Sequence, residues 1–390
     1  MAVMSTKFSL LLAISFLRSQ SHGKVEHNIV KRRGDRLITI PTRDDREESC
    51  KNGKDTSDHV KALRAEMKKE DIEAYIIPMT DEHQSEYIGE EDKRIQWVSG
   101  FTGSSGLAVV SMTSGAVWVD GRYWLQAEQE LACDWLVMKE GKEEPWDHTP
   151  ELWDWLGHLN VTKVGSDPKL TGAVTWLDWE THLGDHNISL VSILDNLVDR
   201  VWDKKDLERE DRKVYIHDIK YSGKKWQDKI LDLLKELWDV TDTIKSAMVV
   251  TGLDEIAWLF NIRGNDIPHT PSVKAYSVVF IDKIFLYLST RSEEVNAFLN
   301  PPKCNESQNC VVIKDYDDIW TDLKDPSFLE SVDKVLLSKP WAYTGGASFA
   351  IYEAIPEQKR IIALSPVMEK KGIKNEVEIK GMESANLKVI

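Results

Sequence analysis

Histidine runs out early in this chain: all ten imidazoles lie at or before His269, so no imidazole ligand or base can come from the residues beyond it. Basic charge is also in deficit, with 50 Lys and Arg against 65 Asp and Glu and a net charge of −15. A chain this acidic does not steer toward phosphate backbones or anionic lipid, which argues against nucleic-acid and membrane-surface partners. No run of about 18 apolar residues occurs, which argues against a membrane-spanning helix. Only four cysteines are present among 390 residues, an even number that suits an oxidising compartment. Phosphate-binding glycine motifs are missing as well. Gly100, Gly103 and Gly106 recur every third residue but fit neither a dinucleotide fingerprint nor a P-loop, and they read as a turn feeding the apolar strand Leu107 to Val110.

What is present begins with an address. Met1 to Gly23 carries a short basic segment, the apolar run Phe8 to Leu17 and small residues at Ser21 and Gly23, the layout of a secretory signal peptide. Its removal takes away Lys7 and Arg18, so the net charge moves from −15 to −17. The chain is therefore expected to be secreted, with no hydrophobic tail for a lipid anchor. Residues 24–49 are charged and poor in apolar side chains, as in a mobile leader, and Lys31 to Arg33 reads as a solvated basic patch. Sequons begin at Asn160, Asn187 and Asn305, and a secreted chain meets the glycosyltransferase. Cys304 and Cys310 flank a polar loop short enough to close a small ring. Cys50 and Cys133 are then the remaining pair, the alternative being a buried free thiol at Cys133.

The periodicity describes an α/β protein. Val60, Leu63 and Met67 recur at helical steps, and apolar strands are expected at Ala74 to Pro78, Leu107 to Ser111 and Gly115 to Val119, before a helix from Tyr123 to Leu131. The pattern repeats after a charged hinge at Asp203 to Lys213: a helix from Trp226 to Trp238, a strand at Ala247 to Thr251, a helical turn at Leu253 to Phe260, and strands at Ser277 to Ile281, Ile284 to Leu288 and Lys334 to Leu337. Strands alternating with helices give mixed sheets flanked by helices in two tandem domains.

Six segments carry a family likeness in order: Asp81-Glu-His-Gln-Ser-Glu-Tyr-Ile88, Val98-Ser-Gly-Phe-Thr-Gly-Ser-Ser-Gly106, Trp118 to Gln126, Asn196 to Trp202, Tyr221 to Ile230 and Leu253 to Pro271. Together they resemble the N-terminal half of aminopeptidase P, the Xaa-Pro aminopeptidases of the creatinase/prolidase superfamily. The resemblance implies two creatinase-type N-terminal domains, at residues 50–203 and 204–370, with residues 371–390 resembling the start of a catalytic domain. In that family two divalent ions, Mn or Zn, are held by two Asp, one His and two Glu of the catalytic domain, where they generate hydroxide and clamp the intermediate. No position in this sequence matches those ligands, so neither catalytic nor metal residues carry over and no cofactor is assigned.

The expected function is an aminopeptidase P-like binding module without hydrolysis of its own, pairing with itself or with a full-length relative, or capturing proline-containing peptides. The alternative is an incomplete form of the Xaa-Pro metallopeptidase. Within the family motifs His83, Arg122, Arg263 and Trp258 are the candidate substrate-side or interface residues. Salt-bridging is the first expectation for both arginines, although Arg122 at a strand end could hold a carboxylate bidentately. A loop or capping role competes with substrate contact for His83, and core packing is expected for Trp258. Trp146, Trp153 and Trp155 lie in an acidic context that suits an interface. A surface around Leu253 to Pro271 is expected to stand open. His182-Leu-Gly-Asp-His186 has the spacing of a metal pair, but Gly184 disfavours a helix and no third ligand is nearby, so a solvated loop is expected.

Overall fold

The computed structural model describes residues 29–33, 36–39, 50–141, 149–205, 207, 212–301, 310–341 and 344–389. The signal segment and the sequon at Asn305, together with Cys304 and Trp146, lie outside the described residues.

Sixteen strands occur among the described residues. β1 (Ile29–Arg33) and β2 (Arg36–Thr39) pair antiparallel inside the stretch expected to be a mobile leader. The first domain contains β3 (Ala74–Pro78), β4 (Leu107–Ser111), β5 (Gly115–Val119), β6 (Trp135–Lys139), β7 (Lys163–Ser166) and β8 (Ser189–Ser192), in the sheet order β6-β5-β4-β3-β7-β8. β9 (Val214–Ile216) then pairs with β11 (Ile262–Gly264). The second sheet is built from β10 (Ser246–Val250), β12 (Ala275–Phe280), β13 (Ile284–Leu288), β14 (Val311–Asp315), β15 (Lys334–Ser338) and β16 (Arg360–Ala363), in the order β14-β13-β12-β10-β15-β16. The two sheets match position for position. In each, a central strand pairs antiparallel with the first strand of a hairpin and parallel with a later strand (β3 with β4 and β7; β10 with β12 and β15).

Both sheets are covered on both faces, which is why their strands read as continuous apolar runs. Along β3, Tyr75 and Ile77 pack into one core and Ala74 and Ile76 into the other. Along β10, Met248 and Val250 face one core and Ala247 and Val249 the opposite one. The helices bury the stripes their periodicity announces: Val60, Leu63 and Met67 from Ser57–Lys69, and Trp226, Ile230, Leu233 and Leu237 from Trp226–Thr241. At about 25 cal/mol per Å² of apolar surface removed from water, burying these stripes stabilises the helices against the sheets. Cys50 and Cys133 form a disulfide, and Cys310 is disulfide-bonded as well.

Three local expectations need correction. His182 to Asp185 belong to the helix Ala173–Asp185 and His186 follows it as the C-terminal cap; the segment is not a loop. Ala173, Trp176, Trp179 and Leu183 bury that helix, and their packing outweighs the ~1 kcal/mol that a mid-helix glycine costs. Its histidines are engaged elsewhere: His182 stacks on Trp153 and His186 Nε2 lies 3.1 Å from Asp154 Oδ1. Trp155 is no interface residue, since it is 1% exposed and meets Trp118 edge to face within the first-domain core. Most of Leu253 to Ile262 is likewise interior, with Leu253, Ile256, Leu259, Phe260 and Ile262 all buried.

Candidate functional site in the cleft between the domains

The loop after β3 carries one wall of the cleft. Asp81 is buried, and its Oδ1 accepts the N–H groups of His83 at 2.9 Å and Ser85 at 3.0 Å. That turns the chain back on itself and aims His83 at the second domain. His83 is 1% exposed. Its Nδ1 lies 3.0 Å from the Thr251 carbonyl oxygen, just past β10, and its Nε2 lies 2.7 Å from the Tyr316 hydroxyl. A carbonyl can only accept, so Nδ1 carries the proton. Burial holds the His83 pKa below its ordinary value, which favours the neutral ring. The Tyr316 hydroxyl also lies 3.1 Å from Glu82 Oε2, so its single proton is shared between two acceptors. Tyr276 packs on the His83 ring with centroids 4.4 Å apart. His83 thus serves as an interdomain tie.

A second tie is ionic. Lys274 Nζ, at the start of the second-domain hairpin, donates to Asp92 Oδ2 at 2.6 Å and to Glu91 Oε1 at 3.1 Å in the first domain. Burial alone would lower the Lys274 pKa, but Asp92 and Glu91 outweigh it and raise it. Arg94 continues the network to Asp92 at 3.1 Å and to Asp199 at 2.8 Å. A third tie is backbone pairing between Gly172 and Ser348. A side chain at position 172 would meet the Gly345 carbonyl oxygen at 2.6 Å, so glycine is required for the approach.

Between these ties lies a cavity of about 800 Å³ whose walls come from both domains, among them His83, Tyr87, Glu255, Trp341 and Met368. Its buried charged residue is Glu255, third in the helix Leu253–Leu259. Ser365 Oγ donates to Glu255 Oε2 at 2.6 Å. Burial pushes the carboxyl pKa up to about 7, with Asp254 adding to the effect. Periodicity missed Glu255 because an acid in a helix's first turn reads as a solvated dipole partner. The signal that could have found it is its place directly before the apolar run Ile256 to Phe260.

The other candidates fall elsewhere. Arg122 does hold a carboxylate bidentately, that of Asp120, through Nε at 2.9 Å and Nη2 at 2.8 Å; these bonds hold the Asp120 pKa at about 2. Arg122 is exposed, Asp120 is partly so, and neither is among the residues that line the cleft. Arg263 donates to the carbonyls of Ala257 and Ile262, so its bonds go to backbone rather than to the ion pair expected. Trp258 is half-buried against the second-domain core, and its Nε1 donates to Glu378 Oε1 at 2.9 Å. It lines a separate cavity of about 740 Å³ with His217 and Tyr221, beneath the helix Glu376–Val389. Asn160 and Asn187 are exposed turn residues with positive φ. They precede the parallel-paired starts of β7 and β8, the sheet ends opposite the cleft. No group of three or more His, Cys, Asp or Glu able to hold a metal occurs among the described residues, so those residues do not fit a dinuclear centre. None of the described helices is long and apolar enough to cross a membrane.

Residues 59–201 and, separately, residues 205–378 match models of the creatinase/prolidase N-terminal domain. The chain is 36% identical over 339 residues to a probable Xaa-Pro aminopeptidase P of Talaromyces marneffei, covering 86% of this chain and 49% of that protein. It is also 36% identical over 322 residues to human Xaa-Pro aminopeptidase 2, covering 81% and 45%. The chain thus spans about half the length of the curated relatives it matches. The crystal structure of an X-prolyl aminopeptidase from Caenorhabditis elegans, a cytosolic enzyme with a di-nuclear active site, superposes with a TM-score of 0.74 at 27% identity, covering 85% of this chain and 53% of that one.

Proposed function

The chain belongs to the creatinase/prolidase N-terminal domain family and is related to the Xaa-Pro aminopeptidases, and from that premise we propose that it works as a secreted binding module that captures short proline-containing peptides in its interdomain cleft without hydrolysing them. The observation that carries this reading is the cavity itself. At about 800 Å³ it lies within the range of pockets that enclose small ligands. Its walls come from two domains locked by His83, Lys274 and the Gly172–Ser348 pairing, so the space is held open before a ligand arrives. Glycans at Asn160 and Asn187 would stand at the far sheet ends and leave the cleft clear.

A second reading is favoured by the relatives, whose length is about twice that of this chain. In it the two domains are the front of a Mn- or Zn-dependent metallopeptidase that releases the N-terminal residue from Xaa-Pro peptides. One experiment separates the two. The purified secreted chain is incubated with Arg-Pro-Pro in the presence of Mn(II) or Zn(II), with peptide binding, product and bound metal measured together. Saturable binding to this chain by itself, without product, supports the module, whereas no binding favours the second reading, in which these two domains do not suffice to hold the peptide. Turnover with about two bound ions per chain overturns it.

A further inference from the structure

Glu255 lines the cleft and is buried, yet no lysine, arginine or histidine forms an ion pair with it among the described residues. The charged groups around it are otherwise engaged or distant. Lys371 also borders the cavity and acts on Glu255 through space, lowering its pKa against the effect of burial, but its Nζ makes its contact with Asp254, at 2.6 Å. His83, across the cleft, has both ring nitrogens committed to Thr251 and Tyr316. Glu86, Glu369 and Lys374 border the same cavity from exposed positions, so that with Asp254 and Lys371 three acids stand against two bases around Glu255. Lys374 donates to the Gly372 carbonyl oxygen. The aromatic rings of Tyr87 and Trp341 also border it, each more than half exposed. Leu253, Ile267 and Met368 supply apolar wall.

A buried carboxyl without a counter-ion, beside apolar walls and exposed rings, is completed by a cation carried on an apolar body. The carboxylate takes the charge in a low-dielectric setting, the walls take the apolar part and the rings favour a cation passing between them. An anionic ligand would meet Glu255, Glu86 and Glu369 together. We propose that the cleft binds a ligand presenting a guanidinium or protonated primary amine on an apolar body, with the cation placed at Glu255 and the apolar part against Tyr87 and Trp341. This deepens the reading of the cleft as a peptide-binding site and rests on it. The elevated Glu255 pKa of about 7 adds a signature: the empty cleft is mostly protonated at pH 6 and mostly ionised at pH 8, and a bound cation expels the proton where it is held. Affinity therefore rises by about tenfold between pH 6 and pH 8, as the ionised fraction does.

The test uses the full chain, isothermal titration calorimetry and two probes: N-acetyl-Arg-Pro-Phe-amide, whose guanidinium stays charged throughout, and N-acetyl-citrulline-Pro-Phe-amide, its neutral isostere. The arginine peptide is expected to bind at least tenfold more tightly at pH 8. E255Q, which keeps an oxygen for Ser365, abolishes both that preference and the pH dependence. Should E255Q not fold, the wild-type pH dependence and the proton released, measured in two buffers of different ionisation enthalpy, decide the matter alone. Equal affinity for the two peptides, or a preference that survives E255Q, overturns the cation site while leaving the cleft a binding site. Binding of neither peptide overturns both.

Discussion

Trp176 of the first domain lies flat on Phe349 of the second, ring centroids 4.7 Å apart and planes 7° from parallel. The rings belong to equivalent helices, one following β7 and the other following β15, and the chain just before each helix pairs with its counterpart. Ala173 N donates to Ala347 O at 2.9 Å, and Phe349 N donates to Thr171 O at 2.8 Å. Two copies of one topology therefore meet through the same end of the same strand. Phe349→Ala should cost about 2 kcal/mol, less than a fully buried phenylalanine because the ring is only partly enclosed. Urea unfolding followed by tryptophan fluorescence should show the lower midpoint, and an unchanged midpoint would mean that the stack contributes nothing.

Lys274 and Asp92 make a buried pair whose loss is asymmetric. Lys274→Met leaves Asp92 buried and unpaired on that side, at a cost of about 3–5 kcal/mol, whereas the double change with Asp92→Leu should recover much of it. Burial would raise the Asp92 pKa, but Lys274 and Arg94 hold it below its ordinary 3.8. The stability from this group is therefore present above about pH 4 and is lost as pH falls further. Chemical denaturation of the single and double variants checks both statements; a double variant no better than the single would remove the pairing argument.

Glu255 has the opposite sign. Its folded pKa of about 7 exceeds the ordinary 4.5, so the folded state binds the extra proton and stability falls as pH rises from 4.5 to 7. Glu255→Gln should match the wild type near pH 4.5 and exceed it at pH 8 by up to about 3 kcal/mol. Thermal unfolding across that range reads the difference directly, and parallel profiles would show that Glu255 is ionised at little cost.

The Cys50–Cys133 disulfide spans 83 residues of sequence, more than half of the first domain's length. It holds the chain entering the helix Ser57–Lys69 against the segment after Trp124–Glu130. Removing it by the double change to serine should lower first-domain stability by about 2–5 kcal/mol. A denaturation curve unchanged by reduction would contradict this.

The chain by itself determined the class and the elements. Apolar runs with two-residue splitting between faces at Ala74 to Pro78 and Ala247 to Val250, and helical stripes at Val60, Leu63 and Met67, are local signals that burial then satisfies, and the family motifs lay in the order of the two domains. Hidden from it were the features made by residues distant in sequence. His83 reads as a loop histidine until Thr251 and Tyr316 close on it from the second domain. Glu255 reads as a first-turn acid until Ser365, 110 residues later, covers it. Trp155 reads as an interface ring until the sheet turns it onto Trp118. Gly184 reads as a helix breaker until Leu183 and Trp179 bury their helix. Periodicity reports which face of an element is apolar, because that depends on residues three or four apart. Which polar group ends inside a cleft depends on what packs over it, and only the tertiary structure decides that, because desolvation is a property of all the neighbours at once.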